Sequence, residues 1–176
     1  MRKILLIVSL LVSSLAVSAQ NTSQSYIEKF KENAIRIMHE SGVPASIVLA
    51  VAMHESACGN SNIAKKLNNQ FGMKGFGTSV YYKNKKKVHT SYKKYESVMD
   101  SFQDFARIMT ERKQFSHLTQ ELDHCDYTGW AKGIQRSGYC SSRKWAAQVL
   151  DIIRKYQLNL YDENPVNQPQ LAANTQ

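Results

Sequence analysis

The sequence predicts an α+β fold, mostly helical, organised around one central buried helix with a small β-hairpin lobe beside it. Three observations carry this. The run from Val43 to Met53 is apolar almost throughout and continues directly into His54 and Glu55; a helix that is apolar on all sides is a buried one. Four further segments place apolar residues at helical spacing. Between them, Ser79–Tyr82 and Val88–Tyr92 read as two short strands around a Lys-Asn-Lys-Lys turn.

The elements follow in order. Ser25-Tyr-Ile-Glu28 has the spacing of a capping box. Ile27, Phe30, Ala34, Ile37 and Met38 then recur on one helical face, and Gly42 closes the helix. Pro44 suits the first turn of the central helix, which runs to about Ala57 with Gly59 as its stop. A short helix is expected over Ser61–Leu67, and the glycine-rich stretch Phe71–Gly77 is expected to be a loop. After the hairpin, Ser97 caps a helix that turns Met99, Phe102, Phe105, Ala106 and Met109 inward. On that helix Asp100 fits a capping position and Asp104 an exposed face. Another helix starts near Asp126, carries Trp130 and Ile134, and ends at Gly138. The last starts near Ser141 or Ser142, with Trp145, Val149, Ile152 and Tyr156 as its apolar stripe. No internal repeat is visible.

The first 19 residues read as a secretory signal: Arg2 and Lys3, an apolar stretch from Ile4 to Val12, and small residues at Val17-Ser18-Ala19. That stretch is short for a bilayer span. No second long apolar run and no lipid-anchoring cysteine after the cleavage site are seen, so a secreted or periplasmic protein without a membrane span is expected. Residues 20–162 suit one domain with its own core. Residues 163–176, rich in Pro, Asn, Gln and Ala, are expected to form a disordered tail. The net charge is +9, or +7 once Arg2 and Lys3 are removed. An exported basic protein is suited to an acidic polymer such as cell-wall material. Export and the lack of a recognisable motif argue against nucleic acid. Lys83, Lys85, Lys86 and Lys87 read as a solvated hairpin tip.

Three cysteines, Cys58, Cys125 and Cys140, leave at least one thiol free or paired between chains. Cys125 and Cys140, which flank one predicted helix, are the pair expected to bridge. Cys58 reads as a small packing residue. No spacing suggests a zinc site, and no metal or cofactor is implied.

Glu55 is the residue that draws attention. A carboxylate at the end of a buried helix is disfavoured in its charged form by burial, and a carboxyl group poised to hold a proton is what general acid catalysis requires. The alternative is a helix-end glutamate facing solvent or pairing with Lys65 or Lys74.

A central helix ending in Glu, followed by a hairpin lobe and more helices, is the layout of lysozyme-like glycosidases. Local stretches narrow the resemblance. His54-Glu-Ser-Ala-Cys-Gly-Asn-Ser61 resembles the E-S-G/A-W/Y-G-x-S stretch of glycoside hydrolase family 73, bacterial N-acetylglucosaminidases that include flagellar wall-cutting enzymes and autolysins. Asn68-Asn-Gln-Phe-Gly-Met-Lys-Gly75 resembles that family's N-N-x-F-G-I-K-G. Tyr92-Lys-Lys-Tyr-Glu-Ser97 with Asp100-Ser-Phe102, then Asp126-Tyr-Thr-Gly-Trp-Ala-Lys-Gly133, Ser137-Gly-Tyr-Cys-Ser-Ser142 with Trp145-Ala, and Lys155-Tyr-Gln-Leu158 follow in the family's order. The resemblance spans roughly Tyr26 to Leu158.

The resemblance implies an endo-β-N-acetylglucosaminidase acting on peptidoglycan, with Glu55 as general acid. Tyr139 matches the tyrosine of the family's G-Y-A-T stretch, where it supports catalysis; a tyrosine packed between two helices is the other reading. Ser56, Asn69, Phe71, Gly72, Lys74, Tyr95 and Trp130 are implied along the substrate groove. For Phe71, Tyr95 and Trp130 a core position is the other reading, and Lys74 either meets a substrate carboxylate or is simply exposed. Two departures stand out. Cys58 replaces the family's frequent Trp or Tyr. Residues 75–94 contain no Asp or Glu, whereas many members are credited with a second acid in the hairpin lobe. The alternatives are a muramidase or lytic transglycosylase on the same fold, and a non-catalytic wall-binding protein.

Overall fold

The structure, a computed structural model, describes residues 20–163. The expected signal segment and all but the first residue of the expected tail lie outside them.

The polypeptide folds as α1 (Ser23–Ser41), α2 (Ala45–Ser56), α3 (Asn62–Leu67), β1 (Lys74–Lys83), β2 (Lys86–Tyr92), α4 (Val98–Glu111), α5 (Leu118–Glu121), α6 (Tyr127–Arg136), α7 (Trp145–Tyr156) and a closing 3-10 turn (Leu158–Tyr161). The expected class holds: a mostly helical molecule with one two-stranded antiparallel sheet.

Helix α2 is the hub. Every residue from Ala45 to Met53 is buried, and it packs on α1, α4, α6, α7 and the 3-10 turn. Burial on all sides explains why its sequence lacks a polar face. Its N-terminus is satisfied from far along the chain. The carboxylate of Asp162 accepts the Ser46 amide at 2.8 Å and the Ser46 hydroxyl at 2.5 Å, supplying an acceptor that Pro44 has no side chain to offer.

Helices α1, α4, α6 and α7 turn an apolar stripe towards α2. An aromatic cluster fills the gap between α1, α4 and the loop before β1: Phe30 stacks on Phe102 at 5.1 Å, and Phe71 stacks on Phe105 at 4.4 Å.

Several boundaries differ from expectation for identifiable reasons. The cap of α1 is Thr22, three residues before the expected Ser25; Ser25 instead supplies the reciprocal side-chain bond of the capping box. Strand β1 begins at Lys74, inside the expected glycine loop, because Lys74 pairs with Tyr92 across an irregularity that ends at Ser79. The hairpin tip is the two-residue turn Asn84-Lys85, both with positive φ (50° and 63°), matching the right-handed twist of the strands. Helix α7 starts at Trp145 rather than Ser141 or Ser142. The Cys125–Cys140 bridge is not formed, and all three thiols are free. The two cysteines lie on either side of α6, whose ten residues rise about 15 Å from end to end, so a bridge would require the flanking loops to fold back along the helix.

Among the described residues no helix is long and apolar enough to cross a membrane.

Candidate active site

Glu55 lies in the last turn of α2, half-buried, where the helix is stopped abruptly. Ala57, Cys58 and Gly59 all take left-handed backbone conformations (φ 52°, 53° and 74°). For the two residues with a Cβ this costs about 1–2 kcal/mol each, so the turn must be held from outside. Ser56 holds it: its hydroxyl donates to the Ala52 carbonyl at 2.6 Å and accepts the Gly59 amide at 2.7 Å. Gly59 suits the turn because its φ is positive and because a Cβ there would crowd the Tyr26 ring at 3.1 Å.

The loop before β1 forms the facing wall. Asn69 is buried and clamps it, donating to the carbonyls of Met73 and Lys93 (both 2.8 Å) and accepting the Met73 amide at 3.0 Å. The clamp presents Gly72 to the carboxylate. Gly72 has φ 64°, and a Cβ on it would lie 3.8 Å from Glu55 Oε2 and 3.9 Å from the Tyr92 ring. The left-handed conformation favours glycine, and a Cβ would come only into ordinary contact with these neighbours.

The other carboxylate oxygen is fixed from α7. Trp145 Nε1 donates to Glu55 Oε1 at 2.7 Å, and the Trp145 ring packs at 5.2 Å from Tyr139. The Tyr139 hydroxyl donates to the Phe71 carbonyl at 3.1 Å. Burial, with a further contribution from the negative charge of Glu55, raises the Tyr139 phenol well above its ordinary pKa. Tyr139 is therefore a neutral hydroxyl at physiological pH.

Glu55, Phe71, Gly72 and Tyr139 line a cleft of about 370 Å³ together with Met73, Lys74, Ile108, Arg112, Gln114, Phe115, Gly138 and Cys140, and Trp145 supports Glu55 from behind. Among the described residues of that lining, Glu55 is the single carboxylate. The arrangement is one positioned proton donor or acceptor in a groove of aromatic edges, open backbone and two cations.

Of the residues singled out from sequence, Glu55, Tyr139, Gly72 and Lys74 meet in this cleft. Five others have side chains committed elsewhere. The Phe71 ring is core, 2% exposed and stacked on Phe105, although the residue borders the cleft. Ser56 is wholly buried at the C-terminal end of α2, and Asn69 is committed to the loop it clamps. Tyr95 is buried and donates to Asp104 Oδ2 at 2.6 Å. Trp130, the fifth, is 0% exposed and donates to the Asp123 carbonyl at 3.2 Å. Asp104, expected on an exposed face, is also buried: it ties Tyr95 and Lys93 of the lobe to Arg107 of α4. Burial pushes its pKa up, but the bonds from Tyr95, Arg107 and Lys93 outweigh that and hold it low.

Sequence reasoning missed the role of Trp145. It falls on the apolar stripe of α7, and nothing local distinguishes an indole that also donates from one that only packs. Arg112, Gln114 and Cys140 enter the cleft for reasons of tertiary placement alone.

Comparison with known proteins places this geometry. Residues 31–158 match the glucosaminidase family described as mannosyl-glycoprotein endo-beta-N-acetylglucosaminidase. The exo-glucosaminidase LytG of Bacillus subtilis is 30% identical over 154 residues, covering 81% of this chain and 55% of that protein. The peptidoglycan hydrolase FlgJ of Escherichia coli K12 is 24% identical over 153 residues, covering 78% of this chain and 48% of that protein. The chain thus spans about half the length of these two relatives. In structure, the catalytic domain of the autolysin Auto from Listeria monocytogenes superposes with a TM-score of 0.62 at 22% identity, covering 83% of this chain and 91% of that one. The glycoside hydrolase domain of FlgJ from Salmonella typhimurium gives 0.62 at 20% identity, with 78% and 89% covered. The fold is shared with these domains, and the match over most of the chain shows that it belongs to the glucosaminidase family of glycoside hydrolases, family 73.

Proposed function

We propose that residues 20–162 form an exported peptidoglycan hydrolase that cleaves the β-1,4 bond between N-acetylglucosamine and N-acetylmuramic acid. The export signal would be residues 1–19 and the site of action the cell envelope, in line with the relatives named as peptidoglycan hydrolases and autolysin. The observation that carries the reading is the placement of Glu55: a lone carboxylate in a cleft, with Trp145 on one oxygen and open glycine backbone beside the other.

In this reading Glu55 protonates the glycosidic oxygen as the bond to the sugar C1 breaks. Among the described residues lining the cleft, no second carboxylate is available as nucleophile or base. The substrate's own 2-acetamido oxygen takes that role: it attacks C1, forming a cyclic intermediate that water then opens, with Glu55 as the base that receives the water's proton. Tyr139, neutral and fixed through the Phe71 carbonyl, lies where it can orient that group. Two displacements at C1 retain its configuration, so net inversion of the product would rule this route out.

Mass spectrometry of digested sacculi tests the bond. Fragments ending in reducing N-acetylglucosamine are expected; reducing muramic acid would mark a muramidase, and anhydro-muramic ends a lytic transglycosylase. The likeness to LytG, named an exo-glucosaminidase, favours a second reading in which cleavage proceeds from chain ends. An early spread of long and short fragments supports endo action, and steady release of terminal units supports exo action.

A further inference from the structure

A second hollow, also about 370 Å³, lies between the hairpin and α4 and runs into the catalytic cleft through Met73, Lys74, Ile108 and Arg112. Its charge sets it apart. Lys74, Lys93, Lys94, Arg107 and Arg112 line it, against one carboxylate, Asp104. Asp104 is already engaged by Tyr95, Lys93 and Arg107, and Arg107 also reaches Glu111 at 3.1 Å. Lys74, Lys94 and Arg112 have no carboxylate partner among the described residues. Unpaired cations gathered in a concave surface focus potential and attract an anion. At the rim the Phe76 side chain is fully exposed, and Gly75 and Gly77 leave the strand backbone bare beside it.

This hollow has no evident use for the glycan itself. The sugar hydroxyls and acetamido groups are neutral, and the lactyl carboxylate of N-acetylmuramic acid is consumed in the amide that joins it to its peptide. The carboxylates of peptidoglycan therefore sit on the stem peptide, which branches from the muramyl sugar that shares the bond Glu55 would cut. We propose that the basic hollow between the hairpin and α4 is a subsite for the acidic stem peptide of the muramyl residue next to the cleaved bond. Lys74, Lys94 and Arg112 pair with its carboxylates, and Phe76 covers its apolar side chains. The proposal rests on the peptidoglycan reading above and names the part of that substrate which the cleft alone does not account for.

The test separates binding from cleavage. Glu55→Gln protein is titrated calorimetrically with three soluble probes: peptide-bearing glycan strands, strands stripped of peptide by an amidase so that the lactyl carboxylates are free, and neutral N-acetylglucosamine oligomers. Peptide-bearing strands are expected to bind tightest, with an affinity that falls as salt is raised. Adding Lys94→Gln and Arg112→Gln is expected to weaken that binding roughly ten-fold, the equivalent of about 1.4 kcal/mol, while Lys94→Gln alone, at a residue outside the catalytic cleft, is expected to leave the neutral oligomers unaffected. Lys94→Arg with Arg112→Lys, which keeps the charge, is expected to restore it. Equal or tighter binding of the stripped strands, or indifference to the charge-removing pair, overturns the subsite. Failure of the wild type to cut sacculi, with the binding pattern intact, would instead overturn the hydrolase reading alone.

Discussion

At the scale of single residues, the account turns on how Glu55 is held. Its position at the end of an apolar helix made it visible in sequence, and the ordered motifs around it gave it a role. Its partner was hidden, because Trp145 satisfies the apolar stripe of α7 whether or not its indole N–H does anything further. Removing that donor is informative. Trp145→Phe keeps most of the packing but frees Glu55 Oε1. A hydrogen bond to a charged group contributes about 1.5–3 kcal/mol, so kcat is expected to fall roughly ten-fold or more with KM little changed. A rise in KM at constant kcat would mean that Trp145 shapes the groove rather than the acid. Tyr139→Phe leaves the Phe71 carbonyl without its donor; a loss of about 1–3 kcal/mol in denaturant unfolding is expected, together with slower turnover. Phe71, Tyr95 and Trp130 show the limit of motif reading. An aromatic in a recognisable stretch looks the same from sequence whether its ring lines a groove or fills a core, and here all three rings are buried.

At the scale of elements, long periodic segments were legible and short or remotely supported ones were not. The four-residue α5 and the closing 3-10 turn offer too few residues for a period to show. The Asp162–Ser46 tie spans 116 positions, beyond any local pattern. That tie carries a pH signature. Burial raises Asp162 from the ordinary 3.8 to about 6, against the bonds from Ser46 and the nearby His124. A carboxyl raised on folding contributes stability that is complete below its unfolded pKa and is lost as pH rises through its folded one, a window from about pH 4 to 6. The lowered Asp104 works in the opposite sense and at lower pH, losing its contribution as pH falls. Melting curves of wild type and Asp162→Asn across pH 4–6 isolate the Asp162 effect. The variant is expected to gain on the wild type as pH rises, by a total on the order of 3 kcal/mol; a constant difference would contradict the assignment. In the hairpin, Lys85→Gly relieves a positive φ of 63° and completes the Asn-Gly pair that such turns favour. A gain of about 0.5–1 kcal/mol in thermal unfolding is expected.

At the scale of the whole molecule, the architecture serves one end of one helix. Helix α2 is buried on every side, so its C-terminal residue is fixed relative to α7, the loop before β1 and the hairpin lobe together. The sequence made this central helix and the lobe evident through hydrophobic periodicity and turn chemistry. What it could not convey was which groups the packing would gather opposite Glu55. The observed lining of aromatics, backbone and two cations, with no second carboxylate among the described residues, makes the missing lobe acid a feature of the site rather than a gap filled from elsewhere in the chain. The most direct test compares wild type with Glu55→Gln on purified sacculi, with circular dichroism melts establishing that both are folded. The account predicts that wild type releases soluble glycan fragments and that the variant is slower by about two to four orders of magnitude, the usual contribution of a general acid. Equal rates of release from the two folded proteins would contradict it.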